Sequence, residues 1–220
     1  MRQDGLSLYN AGLPNFPKNF ARDALISAIL MQDMPMLRDQ LISCAGRQGW
    51  KSDPISGEEI GKIFHEYPPE TRRGCTTEFN ACDTTALFLI GCEWYLELTG
   101  DDRFIVNLTS EIELATEYIR AHIDQDLFYE TPSLCGNDRF GLRVTYWKDS
   151  FLLDRIDGEP SYPIIYSLAH IQNFSGLRSA GRLLKSARIL DEAARMHAGL
   201  AGIFDEQSGE FIIGMIVMEL

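Results

Sequence analysis

Residues 83–119 read DTTALFLIGCEWYLELTGDDRFIVNLTSEIELATEYI. From Thr84 to Leu98, Leu87, Ile90, Trp94 and Leu98 recur at the spacing that places them on one face of a helix. Asp83, a residue type that caps helix N-termini, stands just before the run, and Gly100, suited to the left-handed turn that ends helices, stands just after it. Asp101 then caps a further helix along which Ile105, Leu108, Ile112, Ala115 and Ile119 line up on one side. A connection this short forces the two helices to run back to back as an antiparallel hairpin. Trp94 and Tyr95, at helical spacing, are expected in the core.

Working outward, the same period recurs from about Arg22 to Cys44 (Leu25, Ala28, Ile29, Met36, Leu41), after a candidate cap at Asn19 and with Pro35 set to kink or split the helix. Ser161 and Pro163 predict a short fourth helix through Gln172, and Ser175 predicts the cap of a fifth reaching about His197. Strand signals are weak except in the tail GIFDEQSGEFIIGMIVMEL, where a turn at Gln207 to Gly209 joins two short extended pieces as a β-hairpin. The fold class is therefore all-α, in one domain over residues 1–220. Two connections, about 46–79 and 124–160, are long enough to expect function on them.

Composition excludes several classes. The 220 residues are 45% hydrophobic and 24% charged, which is ordinary globular usage. The formal net charge of −12 disfavours nucleic acid and anionic lipid as partners. No apolar run approaches the roughly 20 residues that span a bilayer, and the start MRQDGLSLYN lacks the order of a signal peptide, so the chain reads as cytoplasmic. Five scattered cysteines with no CxxC pair read as reduced thiols. Four scattered histidines give no metal site, and no phosphate-binding loop or G-x-S-x-G is present, so no metal or cofactor is expected. What remains is carboxylates beside aromatics on long loops. Aromatic faces stack on sugar rings, charged groups bind hydroxyls, and an acid can protonate a glycosidic oxygen.

The segment GLPNFPKNFARDALIS (12–27) resembles the entry motif of the amylo-alpha-1,6-glucosidase, or glycogen-debranching-like, family of six-hairpin glycosidases. GKIFHEYPP (61–69), DTTALFLIGCEWYLELTGD (83–101), YWKDS (146–150) and GIFDEQSGEF (202–211) follow in that family's order. The resemblance implies an (α/α)6 toroid with its long loops gathered around a sugar pocket. It also implies roles for particular residues. Arg22 and Asp23 match the pair holding the nonreducing sugar, with Asp23 receiving hydroxyls and Arg22 holding it in place. Asp149 matches the general acid, and His65, Glu66, Asp83 and Trp147 match positions that line or brace the pocket. Ala21 stands where the family usually has Gly. Some of these residues keep a second reading: Asp83 as a plain helix cap, Arg22 with Asp23 as a first-turn surface pair, and Asp149 as the cap of a turn starting at Ser150. As a general acid, Asp149 would need its pKa raised by burial beside Tyr146, Trp147 and Phe151.

At roughly 35 residues per helix, a ring of twelve helices would need on the order of 400 residues, so the chain is expected to hold about half a toroid. An inverting glycosidase also needs a second carboxylate to activate water, and the resemblance puts that Glu in a C-terminal part which this sequence does not contain. The expected function is a glycoside hydrolase acting on alpha-glucosidic, first of all alpha-1,6, bonds of a neutral oligosaccharide or glycogen-type glucan, inactive alone for want of the base. The alternative is a noncatalytic carbohydrate-binding or assembly module. An uncovered helix flank predicts a homo-oligomer or a complementing chain as partner.

Overall fold

The computed structural model describes residues 2–3, 5–147, 161–208, 210–211 and 214–216. Seven α-helices lie among these: α1 (Ala21–Met31), α2 (Met34–Gly46), α3 (Thr84–Thr99), α4 (Asp102–Val106), α5 (Thr109–Ala121), α6 (Ser167–Leu183) and α7 (Ala187–Gly199). The strands are two or three residues long and pair two at a time.

Each helix boundary has a local cause. The stretch from Arg22 to Cys44 is split: Gln32 takes a left-handed φ of 52°, and Asp33 accepts from the Met36 amide at 3.1 Å with Pro35 in the first turn of α2. Phe20, not Asn19, occupies the N-cap of α1, because the Asn19 side chain is spent on the Tyr9 carbonyl (3.0 Å) and on Gln40 (2.9 Å). α3 ends at Gly100, whose φ is +67°. Asp101 caps α4 by accepting from the Phe104 amide at 3.1 Å. The helix expected after Asp101 breaks between α4 and α5, yet Ile105, Leu108, Ile112, Ala115 and Ile119 are all buried as expected.

Two expectations are corrected at α6. Residues 164–166 form a strand paired antiparallel with 214–216, and one helix runs unbroken from Ser167 to Leu183. Ser175 does not start a helix. Its hydroxyl donates to the Ile171 carbonyl one turn back (2.8 Å), and Ser186, which accepts from the Ile189 amide at 3.4 Å, caps α7 instead. The tail hairpin is present, with Phe204–Asp205 pairing Glu210–Phe211.

The helices make three hairpins in two layers. α1, α3 and α6 lie side by side with α3 in the middle, and α2, α5 and α7 pack against them from one side to the other. α3 is therefore buried nearly all round. Gly176 lets α6 approach it: a methyl group there would stand 2.7 Å from the Ala86 Cα. Crowding also corrects the stripe expected on α3. Ala86, Phe88, Leu89 and Cys92 are fully buried, Trp94 and Leu98 are 38% and 46% exposed, and Tyr95 alone of the expected aromatic pair is core. Among the described residues, three hairpins support the helical, hairpin-built part of the toroid expectation.

The connection from 47 to 83 is not a loose loop. Lys62 is fully buried, with Glu59 at 3.2 Å, Glu130 at 3.9 Å and its ammonium facing the Tyr118 and Phe140 rings. His122 meets Glu59 at 2.8 Å and the Tyr129 carbonyl at 2.9 Å. Burial opposes charge on Glu59, but the Lys62 ammonium and His122 outweigh it and hold the carboxyl at about 2. Glu130, fully buried, is pushed up by desolvation despite Lys62. All five cysteines are buried and unpaired, and no described helix is long and apolar enough to cross a membrane.

Candidate carbohydrate-binding cleft

The N-terminal ends of α1, α3 and α6 come together. At that end lies a cleft of about 1070 Å³. Its walls include Arg22, Asp23 and Ile26 of α1, Leu168 and Gln172 of α6, and Phe16, Phe20, His65, Glu66 and Trp147 from the connections. Five of the residues marked in the sequence thus share one concave surface. Asp149 lies outside the described residues, as do Lys148 and Phe151.

Asp83 does not line the cleft. It sits at the N-cap of α3 without capping it, and is fully buried. Its two carboxylate oxygens instead receive the Arg22 Nε at 3.0 and 2.8 Å, while a second Arg22 nitrogen donates to the Thr145 carbonyl at 3.3 Å. Arg22 is consequently fixed by Asp83 and by the segment leading to Trp147. Asp23, its neighbour on the first turn of α1, is exposed into the cleft. A helix first turn also favours a carboxylate there through its amide groups.

Aromatic rings form the floor. Phe16 and Phe20 meet edge to face at 6.1 Å, and Phe20 meets His65 in the same way at 5.3 Å. The two-residue strand Asn19–Phe20 pairs with Glu66–Tyr67, which brings His65 and Glu66 to the start of α1. His65 is 2% exposed and Trp147 is 52% exposed, so the first supports the floor and the second offers a ring face.

The charged rim contains residues that sequence reasoning did not single out. Lys18 bridges Glu66 at 3.1 Å and Glu70 at 2.6 Å, and Glu66 also accepts from Thr77. Glu70 is held below the usual carboxylate range by its bonds to Lys18 and Arg72. Arg72 and Arg73 stand on the hairpin Thr71–Thr76, and Arg143 comes from a segment some seventy residues later. Arg73 lies below the ordinary arginine value because of burial and the charges of Arg143 and Arg139. The only local signal for this group was the ETRRG turn, since Lys18 and Arg143 are brought in by tertiary contacts. Among the described residues, no cluster suited to a metal ion occurs.

The fold has a counterpart among solved structures. Over 90% of its length the chain is similar to part of a solved structure, with a TM-score of 0.54 and 14% sequence identity. That structure is a GH78 family rhamnosidase of Bacillus sp. GL1, and the chain spans 19% of the rhamnosidase chain. No protein-family model matches the sequence, and no curated protein matches it. The likeness is one of fold and does not single out the debranching family.

Proposed function

We propose that the cleft is a carbohydrate site of the glycoside hydrolase kind, built for alpha-linked glucose units. The observation that carries this reading is the convergence of Arg22, Asp23, Phe16, Phe20 and Trp147 on one cleft at the N-terminal ends of three packed helices. Aromatic faces for sugar rings, with an exposed carboxylate beside a fixed guanidinium for hydroxyls, are the two components such recognition needs. The motif resemblance favours alpha-1,6 and other alpha-glucosidic bonds, with Asp149 as general acid of an inverting mechanism. Isothermal titration with isomaltotriose and maltotriose tests it. The chain should bind at least one of them, and Asp23→Ala should weaken binding about tenfold, the worth of one charge-assisted hydrogen bond. No binding of either sugar by the parent chain, or an Asp23→Ala variant that binds undiminished, would sink the reading.

One observation favours binding without turnover. Glu66 and Glu70 are both tied to Lys18, which suits them to hold the rim, and Glu70, held below the usual carboxylate range by Lys18 and Arg72, is a weak base. In the same titrations, glucose release from isomaltotriose should stay far below ordinary enzyme rates. Release at about 1 per second or faster would make the chain a hydrolase in its own right.

A further inference from the structure

The chain carries a net charge of −12, yet the described lining of its cleft presents four arginines (Arg22, Arg72, Arg73, Arg143) against three carboxylates (Asp23, Glu66, Glu70). Arg22 is committed to Asp83, and Arg72 to Glu70 at 3.0 Å. Arg143 is half-buried on the cleft wall and makes no ion pair with a carboxylate among the described residues. Its place beside Arg73 is built by the backbone. Gly141 lies so close to the Thr71–Thr76 hairpin that a methyl group on it would be 3.1 Å from the Thr76 carbonyl and 3.3 Å from that of Arg72. The Leu142 amide is pinned by Asn80 at 2.8 Å. Arg73 itself takes a left-handed φ of +57° in the turn before Gly74, a conformation that residues with a side chain seldom adopt. Arg143 thus offers the cleft a guanidinium that no described carboxylate meets.

We infer that the sugar this cleft takes is acidic: Arg143, with Arg73 beside it, receives the carboxylate of a uronic acid residue, while Asp23 and the aromatic faces receive neutral rings of the same oligosaccharide. A guanidinium meets a carboxylate through two parallel N–H donors, so the pair fixes orientation as well as charge. The inference rests on the carbohydrate reading above and narrows it.

The test compares maltotriose with two singly oxidised maltotrioses, in which the primary alcohol of either the terminal nonreducing or the middle glucose alone is a carboxylate, so that the tighter-binding oxidised sugar differs from maltotriose only where the charge lies. By titration at low salt, that oxidised sugar should bind about tenfold tighter than maltotriose to the parent chain, and the advantage should shrink as salt rises. Arg143→Gln should erase the difference between the two sugars, and Arg143→Lys, which keeps charge but not the fork, should retain part of it. Circular dichroism melts of both variants establish that they are folded. Equal affinity in the parent chain, or a preference that survives Arg143→Gln, overturns the inference while leaving the carbohydrate reading standing. Failure of maltotriose and its oxidised forms to bind overturns the inference, and if isomaltotriose also fails to bind the carbohydrate reading falls with it. Sodium sulfate binding as tightly as the oxidised sugar would mark a plain anion site and overturn the acidic-sugar assignment.

Discussion

Arg22 and Asp23 are neighbours with opposite fates. Arg22 is 5% exposed and its guanidinium lies against a carboxylate that is entirely buried, whereas Asp23 faces solvent in the cleft. Taking the carboxylate of Asp83 away should therefore cost far more stability than taking that of Asp23. Asp83→Ala is expected to lower the unfolding free energy by about 3 kcal/mol or more, the typical cost of removing one partner of a buried ion pair. Asp23→Ala should fall within about 0.5 kcal/mol of the parent. Urea midpoints decide it, and two equal shifts would mean that Asp83 is not the anchor described. The sequence made both residues visible for different reasons. Asp23 stands next to Arg22 after a run of Phe and Pro, and Asp83 stands where a helix cap belongs. That Asp83 abandons the cap for a guanidinium 61 positions earlier was beyond local reading. Arg143 and Lys18 were invisible for the same reason, since nothing in their neighbours marks them.

Among the elements, the end of α3 and the start of α4 were legible because they carry caps that act only locally: Gly100 in the left-handed region and Asp101 on the Phe104 amide. α6 was misread because a serine inside a helix has a second choice, the carbonyl one turn back, which Ser175 takes. The glycines of α6 are points of contact, Gly176 against Ala86 and Gly181 against Leu190. Gly176→Ala tests this. The substitution improves intrinsic helix propensity by about 1 kcal/mol, but its methyl group would sit 2.7 Å from the Ala86 backbone, so α6 and α3 must move apart. A net loss of about 1–3 kcal/mol is expected in thermal or urea unfolding. Gly46→Ala, at the end of α2 with no atom within 4 Å of the added methyl, should be neutral or stabilising. A stabilised Gly176→Ala would show that the two helices are not in such close contact.

For the whole molecule, the acid limb of stability should report the buried ionic cluster. Glu59 is held at about 2 when folded, below its ordinary 4.5, so its contribution is fully present above about pH 4.5 and is lost as pH falls toward 2. Glu130, pushed the other way by burial, partly offsets this, so the Glu59 share is best read by difference. The stability gap between the parent chain and Glu59→Gln should narrow steadily in urea titrations from pH 5 to pH 3. A gap independent of pH would mean that Glu59 is not a carboxylate held by Lys62 and His122. The Arg22 guanidinium carries a consequence of another kind, in the timing of assembly. Its partners lie 61 and 123 positions along the chain. Loops of that length close slowly, so local contacts such as the α1–α2 and α3–α5 hairpins gain their structure first. During synthesis the cleft comes into being only once residue 172 has left the ribosome, and until residue 145 has emerged its arginine is a charge waiting for the surfaces that will bury it.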